Sequence, residues 1–439
     1  MKPRRPFDLV VIGAEPAGLA AAACAAKEGA RVAIFPAGDG APPLGATPGV
    51  PDFVWRRLDL HDSGLDAAPV SAQISLFEGG RALATYQSAQ KTRDALEEKG
   101  VAGHHLWTDF QADLDFRWKE GAPLAARAAG GRAGAALIGA IAANGPDLAA
   151  RLAQSTRALV DDYFDNDDLK THLASLALSS FGLAGDEPGS AQALASLSAP
   201  AAWRVKSGAR GASLSMALAE AAKAAGVDFI EMRVLGVEPS EDKLRILALE
   251  NGDAVRTRHV MAASEAAAAR AGLKAAQALA PARRAGAVAD IRLKFAKAPA
   301  PPAGDKDAIF FLADSLDAFS EARDAALEGR LSERAPLSFE YHKDDILVRA
   351  AYCPSVLETE GEARDWSEQD RQALGRRIVE RLAPFLNGAA ESVRRVEVKV
   401  SASGARRGAL KAGAVPAPPP GHDAIGAAVL LALDLLRGE

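Results

Sequence analysis

Cysteine is almost missing from this 439-residue chain, which has only Cys24 and Cys353. They lie far apart with no CxxC or Cys/His companion, which excludes a disulfide framework and the usual zinc patterns. So little thiol fits a reducing, cytoplasmic setting. Nor does one sign of charge dominate. Lys plus Arg number 52 against 57 Asp plus Glu, a net charge of −5, so nucleic acid is not an expected partner. Long uncharged apolar runs are also missing. AGAALIGAIAA at 133–143 is too short to cross a bilayer. The basic start ahead of an apolar run has the outline of a signal peptide, but Asp8, Glu15 and Pro16 interrupt it, and a strand, turn and helix explain it better. The expectation is a soluble protein. Its short basic pieces at 282–286 and 403–410 would give at most peripheral contact with anionic lipid.

The signatures of several enzyme classes do not occur either. There is no GxSxG, HExxH or GxxxxGK[ST], so serine hydrolase, zinc protease and P-loop readings have no support. The seven histidines are scattered. His104 and His105 stand near Trp107 and Asp109, yet adjacent residues do not share a helix face, and ordinary surface positions are expected. His61-Asp62 and His342 have no visible partners. DDYFDNDD at 161–168 lacks the ligand spacing and central glycine of a calcium loop and reads as an acid-rich helix boundary. No metal ligand and no catalytic side chain is predicted.

What the chain does contain is a strong amino-terminal pattern. FDLVVI at 7–12 is a short apolar run, as in a buried parallel strand. Pro16 to Glu28 reads as a helix closed by Gly29, and RVAIF at 31–35 as the next strand. Strand, tight turn, helix and strand make a βαβ unit with a dinucleotide-type glycine turn. In that turn the first glycine bends the chain, the second lets the diphosphate approach, and the third lets helix and strand pack closely. Gly13 and Gly18 hold the first and third places, Ala14 lies between, and Glu15 holds the second. An ionised carboxylate there faces phosphate charge of its own sign. At about 4 Å and an effective dielectric near 20, each unit repulsion is roughly 4 kcal/mol before relaxation. The second strand ends at Pro36, not at an acid that would hold a ribose, and the nearest acid is Asp39. Losing such a charged acceptor costs about 1.5–3 kcal/mol.

Further along, 148–182 reads as helical. Ser213 to Ala225 reads as a helix closed by Gly226, and VDFIEMRVLGVEP with LRILALENGDAVRTRHVMAA as strands joined by a hairpin at ENGD. VADIRLKFA, AIFFLA, LSFEYH and DILVRAAY read as strands before a helix from Glu368 to about Leu386. No internal repeat is found.

DLVVIGAEPAGLAAAACAAKEGARVAIF at 8–35 resembles the amino-terminal signature of FAD-dependent oxidoreductases. VKSGARGASLSMALAEAAKAAGVDFIEMRVLGVE at 205–238 and ALVDDYFDNDDLKTHLASLALSSFGLAGDEPGSA at 158–191 resemble the phytoene desaturase-like group of that family, of the pyridine nucleotide-disulphide oxidoreductase domain-containing type. The resemblance implies an α/β fold: an FAD/NAD(P)-binding Rossmann-like domain from 1–60, 200–270 and 396–439, with an inserted α+β substrate domain from 61–199 and 271–395. It implies FAD as cofactor, with Gly13, Ala14, Glu15, Gly18 and Gly426 toward the diphosphate and Val234 beside the adenine. This chain departs from the family pattern at Glu15, at Pro36, at GARG 208–211, at MAASEAAAA 261–269 and in the tail PAPPPGHDAIGAA. There His422 and Asp423 take glycine places.

These departures all touch one ligand. The reading that follows is a degenerate cofactor site in a non-redox binding or partner subunit, a pseudoenzyme. Its expected partners are an intact paralogue or a second copy, and an apolar small molecule. The alternatives are an active FAD-dependent desaturase or dehydrogenase on an apolar, isoprenoid-like substrate, and a structural protein without a small ligand.

Overall fold

The computed structural model describes residues 5–36, 50–128, 146–195, 202–208, 214–240, 242, 244–263, 267, 271, 287–302, 305–342, 344–359, 361–386, 389–402, 414–416, 429, 432–433 and 435–436. The apolar run at 133–143 and the tail positions His422, Asp423 and Gly426 lie outside them.

Two sheets organise the described chain. The first is built on the strand Phe7–Ile12, buried at nearly every position because its residues are Val, Leu and Ile without alternation. It pairs in parallel with Val32–Phe35 on one side and with Ala254–Ala262 on the other. The hairpin strands Arg245–Leu249 and Val234–Pro239 extend the sheet antiparallel, as the ENGD turn predicts. The helix Pro16–Lys27 crosses from the first strand to the second, and its residues Ala17 to Ala25 are all buried. Small side chains suit a helix packed so closely against the sheet and against the neighbouring helix Leu214–Ala224. Cys24 belongs to this packing. Burial pushes its thiol up to about 12, so it is an inert core residue.

The second sheet runs in the order Val393–Ala402, Ala287–Phe295, Asp345–Cys353, Leu337–His342, Ile309–Leu312, Gln73–Leu76, Ala82–Thr85. One face carries Ile291, Leu293, Phe339, Ile346 and Val348 against Leu374, Ile378 and Leu382 of the helix Glu368–Leu382. That helix begins at a capping box, in which Ser367 and Asp370 satisfy each other's backbone N–H groups. Strand Val393–Ala402 belongs whole to this sheet, whereas the sequence reading divides the chain at 396. Its valines pack on the helix, and a Cβ at Gly375 would meet Val396 Cγ1 at 2.7 Å. Ala202–Gly208 likewise pairs with Val50–Pro51 and Leu65–Pro69 in a small third sheet.

On the other face of the second sheet, half is covered by the helix Asp167–Phe181. Its start is the acid-rich boundary expected at 161–168: Asn166 accepts from Leu169 N at 2.8 Å, and Asp167 and Asp168 sit in the first turn, where they favour the helix dipole. His172 on this helix is fully buried. Its Nδ1 bonds Ser75 Oγ at 2.7 Å and its Nε2 bonds Thr85 Oγ1 at 3.1 Å, which joins the helix to two strands. Burial lowers its pKa from 6.5 to about 3.

Below pH 6.5 the unfolded chain therefore takes up a proton that the folded chain refuses until about pH 3, and stability falls with falling pH across that window. The loss approaches about 1.4 kcal/mol per pH unit from this one group. His172→Gln, which hydrogen-bonds without titrating, is expected to flatten that part of the pH–stability curve, read by urea denaturation at several pH values.

Candidate functional site

In open α/β sheets a ligand sits at the carboxyl ends of the strands, where the chain switches direction across the sheet. Here that point lies between Phe7–Ile12 and Ala254–Ala262. Gly13 follows the first strand with φ +106°, a conformation that favours glycine. Its N–H donates to Phe35 O at 2.8 Å, and Ala263 N donates to Ile12 O at 2.8 Å, so the ends of three strands are tied around the turn. The helix begins directly after Glu15, with Pro16 at its start, where a fixed φ is favourable.

Gly18 faces the strand end. A Cβ there would lie 2.5 Å from Ala263 Cβ, 2.8 Å from Gly13 O and 3.1 Å from Val11 Cγ1. Helix and strand approach so closely that only glycine fits. The structure thus brings Gly13, Ala14, Glu15 and Gly18 together at one turn.

Glu15 departs from what a diphosphate turn needs. Its side chain makes no cap hydrogen bond to the helix. Instead it folds back over Gly13, so that a side chain on Gly13 would strike the Glu15 carboxylate, with Ala263 and Ala267 Cβ each 2.9 Å from that same position. Oε2 is shut away from solvent. The carboxylate therefore occupies the crook of the turn, at the positive end of a twelve-residue helix.

Val234 opens the strand Val234–Pro239 opposite Leu249 and is buried in the apolar layer with Ile12, Ala33 and Phe35. It reaches the sheet face opposite the Ala-rich helix. Pro36 follows Phe35 and is half-buried, and Asp39 lies outside the described residues. Gly426 does too.

The histidines behave as ordinary structural residues. His61 Nδ1 accepts from Trp55 Nε1 at 3.0 Å, and His104 Nδ1 lies 3.2 Å from Val101 O. Among the described residues no group of three His, Cys, Asp or Glu could hold a metal, and no helix is long and apolar enough to cross a membrane. A half-open cleft of about 330 Å³ is lined by Asp8, Glu28, Arg258, His259 and Leu433. It lies at the amino ends of the strands, away from the glycine turn.

Sequence reading missed a charged surface on the second sheet, on the face turned away from the helix Glu368–Leu382. The register sets Lys399, Asp290 and Arg349 side by side, then Glu397 and Arg292, then Arg395, Lys294 and Asp345. Asp290 is 5% exposed. Burial raises its pKa despite the opposing attraction of Arg349 and Lys399. Arg292 forms an ion pair with Asp345 at 3.1 Å, and Lys294 with Glu397 at 3.0 Å. The alternation of charge along VADIRLKF and VEVKV was the available signal.

No family model matches the chain, and no curated protein matches it. Solved structures do. A triple mutant of putrescine oxidase redesigned for cofactor binding is similar over 99% of both chains, at 15% identity and a TM-score of 0.50. Cyclohexylamine oxidase from Brevibacterium oxydans is similar over 97% of this chain and 90% of its own, at 14% identity and a TM-score of 0.48. A flavoprotein/dehydrogenase from Cytophaga hutchinsonii is similar over 99% of this chain and 80% of its own, at 13% identity and a TM-score of 0.45. The putrescine oxidase likeness is one of fold: a Rossmann-like domain combined with a second, mixed sheet, the fold class expected from the sequence.

Gly18→Ala is expected to destabilise the protein by about 1–3 kcal/mol through overpacking, measured as a lower denaturant midpoint. Ala263→Gly in the same chain removes the closest of the three contacts and is expected to recover part of that loss.

Proposed function

We propose that this chain is a phytoene desaturase-like protein of the FAD-oxidoreductase fold that no longer binds flavin in the ordinary way and serves as a non-redox binding or partner subunit. The observation that carries this reading is the Glu15 carboxylate, folded into the crook of the turn over Gly13. A dinucleotide diphosphate needs that volume and the N–H groups at the helix start, and it carries the same sign of charge. The residues present do not fit the group. Pro36 in place of an acid at the end of the second strand supports the same conclusion, as do His422 and Asp423 in the tail sequence. The partner in this reading is an intact relative of the same fold or a second copy of this chain.

One observation favours a second reading. Gly13 keeps its positive φ and Gly18 its close approach to Ala263, so the backbone of the turn is retained even though its mouth is filled. In an active FAD-dependent oxidoreductase on an apolar, isoprenoid-like substrate, Glu15 would have to swing out when the cofactor enters. Bound flavin would supply the hydride chemistry, and the chain's own part would be to shape the diphosphate turn with Gly13 and Gly18 and to flank the adenine with Val234.

The two readings separate in an absorption spectrum of the full chain purified from a flavin-replete host, taken before and after denaturation. The expected result is a colourless protein that fails to take up added FAD. Flavin at near-unit occupancy would overturn the proposal. Glu15→Gly is expected to raise FAD affinity by at least about tenfold, within the repulsion removed. Glu15→Gln, which keeps the volume and drops the charge, should recover less. Equilibrium dialysis with free FAD reads both.

A further inference from the structure

The strand Val393–Ala402 forms one end of the second sheet. It is ten residues long and carries no proline or glycine. Among the described residues it pairs only with Ala287–Phe295, and none of them pairs with its outer row of backbone groups. Proteins normally blunt such an edge, because it is a template for another strand. Beside it runs a half-open groove of about 180 Å³ between the strand and the helix Glu368–Leu382, lined by Glu368, Arg371, Gln372, Arg376, Val396 and Val398. Valines 396, 398 and 400 are only partly buried on that side, and Glu397 and Lys399 stand half-buried on the opposite, charged face.

We propose that this edge pairs with the same edge of a second copy of the chain, antiparallel about a two-fold axis at Val398. This register places Val398 opposite its symmetry mate on the axis, and Val396 opposite Val400 and Glu397 opposite Lys399, these last two pairs each occurring twice. The sequence VEVKV is thus complementary to itself when reversed. A one-step shift of the symmetric register sets Glu397 against Glu397 and Arg395 against Lys399, and a shift the other way sets Lys399 against Lys399. Opposite charges across an antiparallel pair are favourable and like charges are not, so the two neighbouring registers are disfavoured. The partner's Val398 and Val400 fall on the groove side, where apolar side chains cover Val396 and Val398 and the stems of Arg371 and Arg376.

Charges already facing the edge agree with this. Glu397 receives Lys294 at 3.0 Å and Arg395 at 3.1 Å, which lowers its pKa and keeps it ionised for a lysine opposite. Lys399 lies in register with Asp290. The contact is isologous and closed, so it yields a dimer with a continuous sheet across the axis and no open fibre. It does not depend on whether flavin binds.

The test uses the full chain in sedimentation equilibrium over a concentration series. The wild type is expected to show a reversible monomer–dimer equilibrium. Glu397→Lys puts lysine against lysine, and Lys399→Glu puts glutamate against glutamate. Each variant alone is expected to weaken the dimer by at least about tenfold. An equimolar mixture restores the pairing, because the lysine-bearing edge of one variant meets the glutamate-bearing edge of the other. A wild type that stays monomeric, a dimer that both variants retain, or folded variants that fail to combine would each overturn the proposal. Amide hydrogen exchange on the wild type keeps the test independent of variant folding. Exchange across 393–402 should slow as concentration rises, and unchanged exchange there would refute the contact.

Discussion

The close approach of the helix Pro16–Lys27 to the carboxyl ends of the central strands governs the amino-terminal domain. Gly18 leaves no room for a side chain against Ala263, Gly13 O and Val11, and the alanines that follow continue the same tight contact along the helix. With the helix held so near, the turn from Gly13 to Glu15 has little freedom. That proximity also decides where Glu15 can go. A side chain on Gly13 would meet Ala263 and Ala267 as well as the Glu15 carboxylate, so the glutamate lies over the Gly13 backbone beside them. The packing that makes a dinucleotide turn is thus the same packing that closes it once its middle glycine is replaced.

The two sheets are built on different terms. The first is centred on the apolar strands Phe7–Ile12 and Val32–Phe35, buried on both faces as parallel pairing usually requires, and is extended by a partly exposed hairpin. The second has one apolar face, on which aromatic rings such as Phe310 and Phe339 stack at 5.1 Å, and one face shared between a covering helix and rows of paired charge. His172 marks the covered half, where a neutral imidazole satisfies two hydroxyl groups in an apolar setting. The charged half sets carboxylates and cations next to one another across the strands, with Arg292 paired to Asp345 and Lys294 to Glu397, which offsets part of the cost of half-burying them.

The difference between what was legible and what was not follows the range of the interactions. The glycine turn, the Ala-rich helix, the ENGD hairpin and the acid-rich helix start at Asp167 are local, and their residues lie within a few positions of one another. His172 escaped notice in the stretch THLASLAL because its two partners, Ser75 and Thr85, lie 97 and 87 residues away. A polar residue on the buried face of an apolar helix was the only hint. The sheet that Val393–Ala402 joins was not legible for a related reason. VEVKVSA is short and alternating, and nothing local says which sheet it joins.

By itself the sequence determined the βαβ unit and the presence of a glutamate where phosphate would lie, since both depend on periodicity and spacing along a continuous stretch, while the wider fold class came from the resemblance. Only the tertiary structure decided that this glutamate turns inward, that Asp290 stands buried between Arg349 and Lys399, and that Val393–Ala402 forms the end of the second sheet among the described residues. Each of these depends on which distant segment packs alongside, and side-chain direction and strand pairing are settled by that neighbour rather than by local preference.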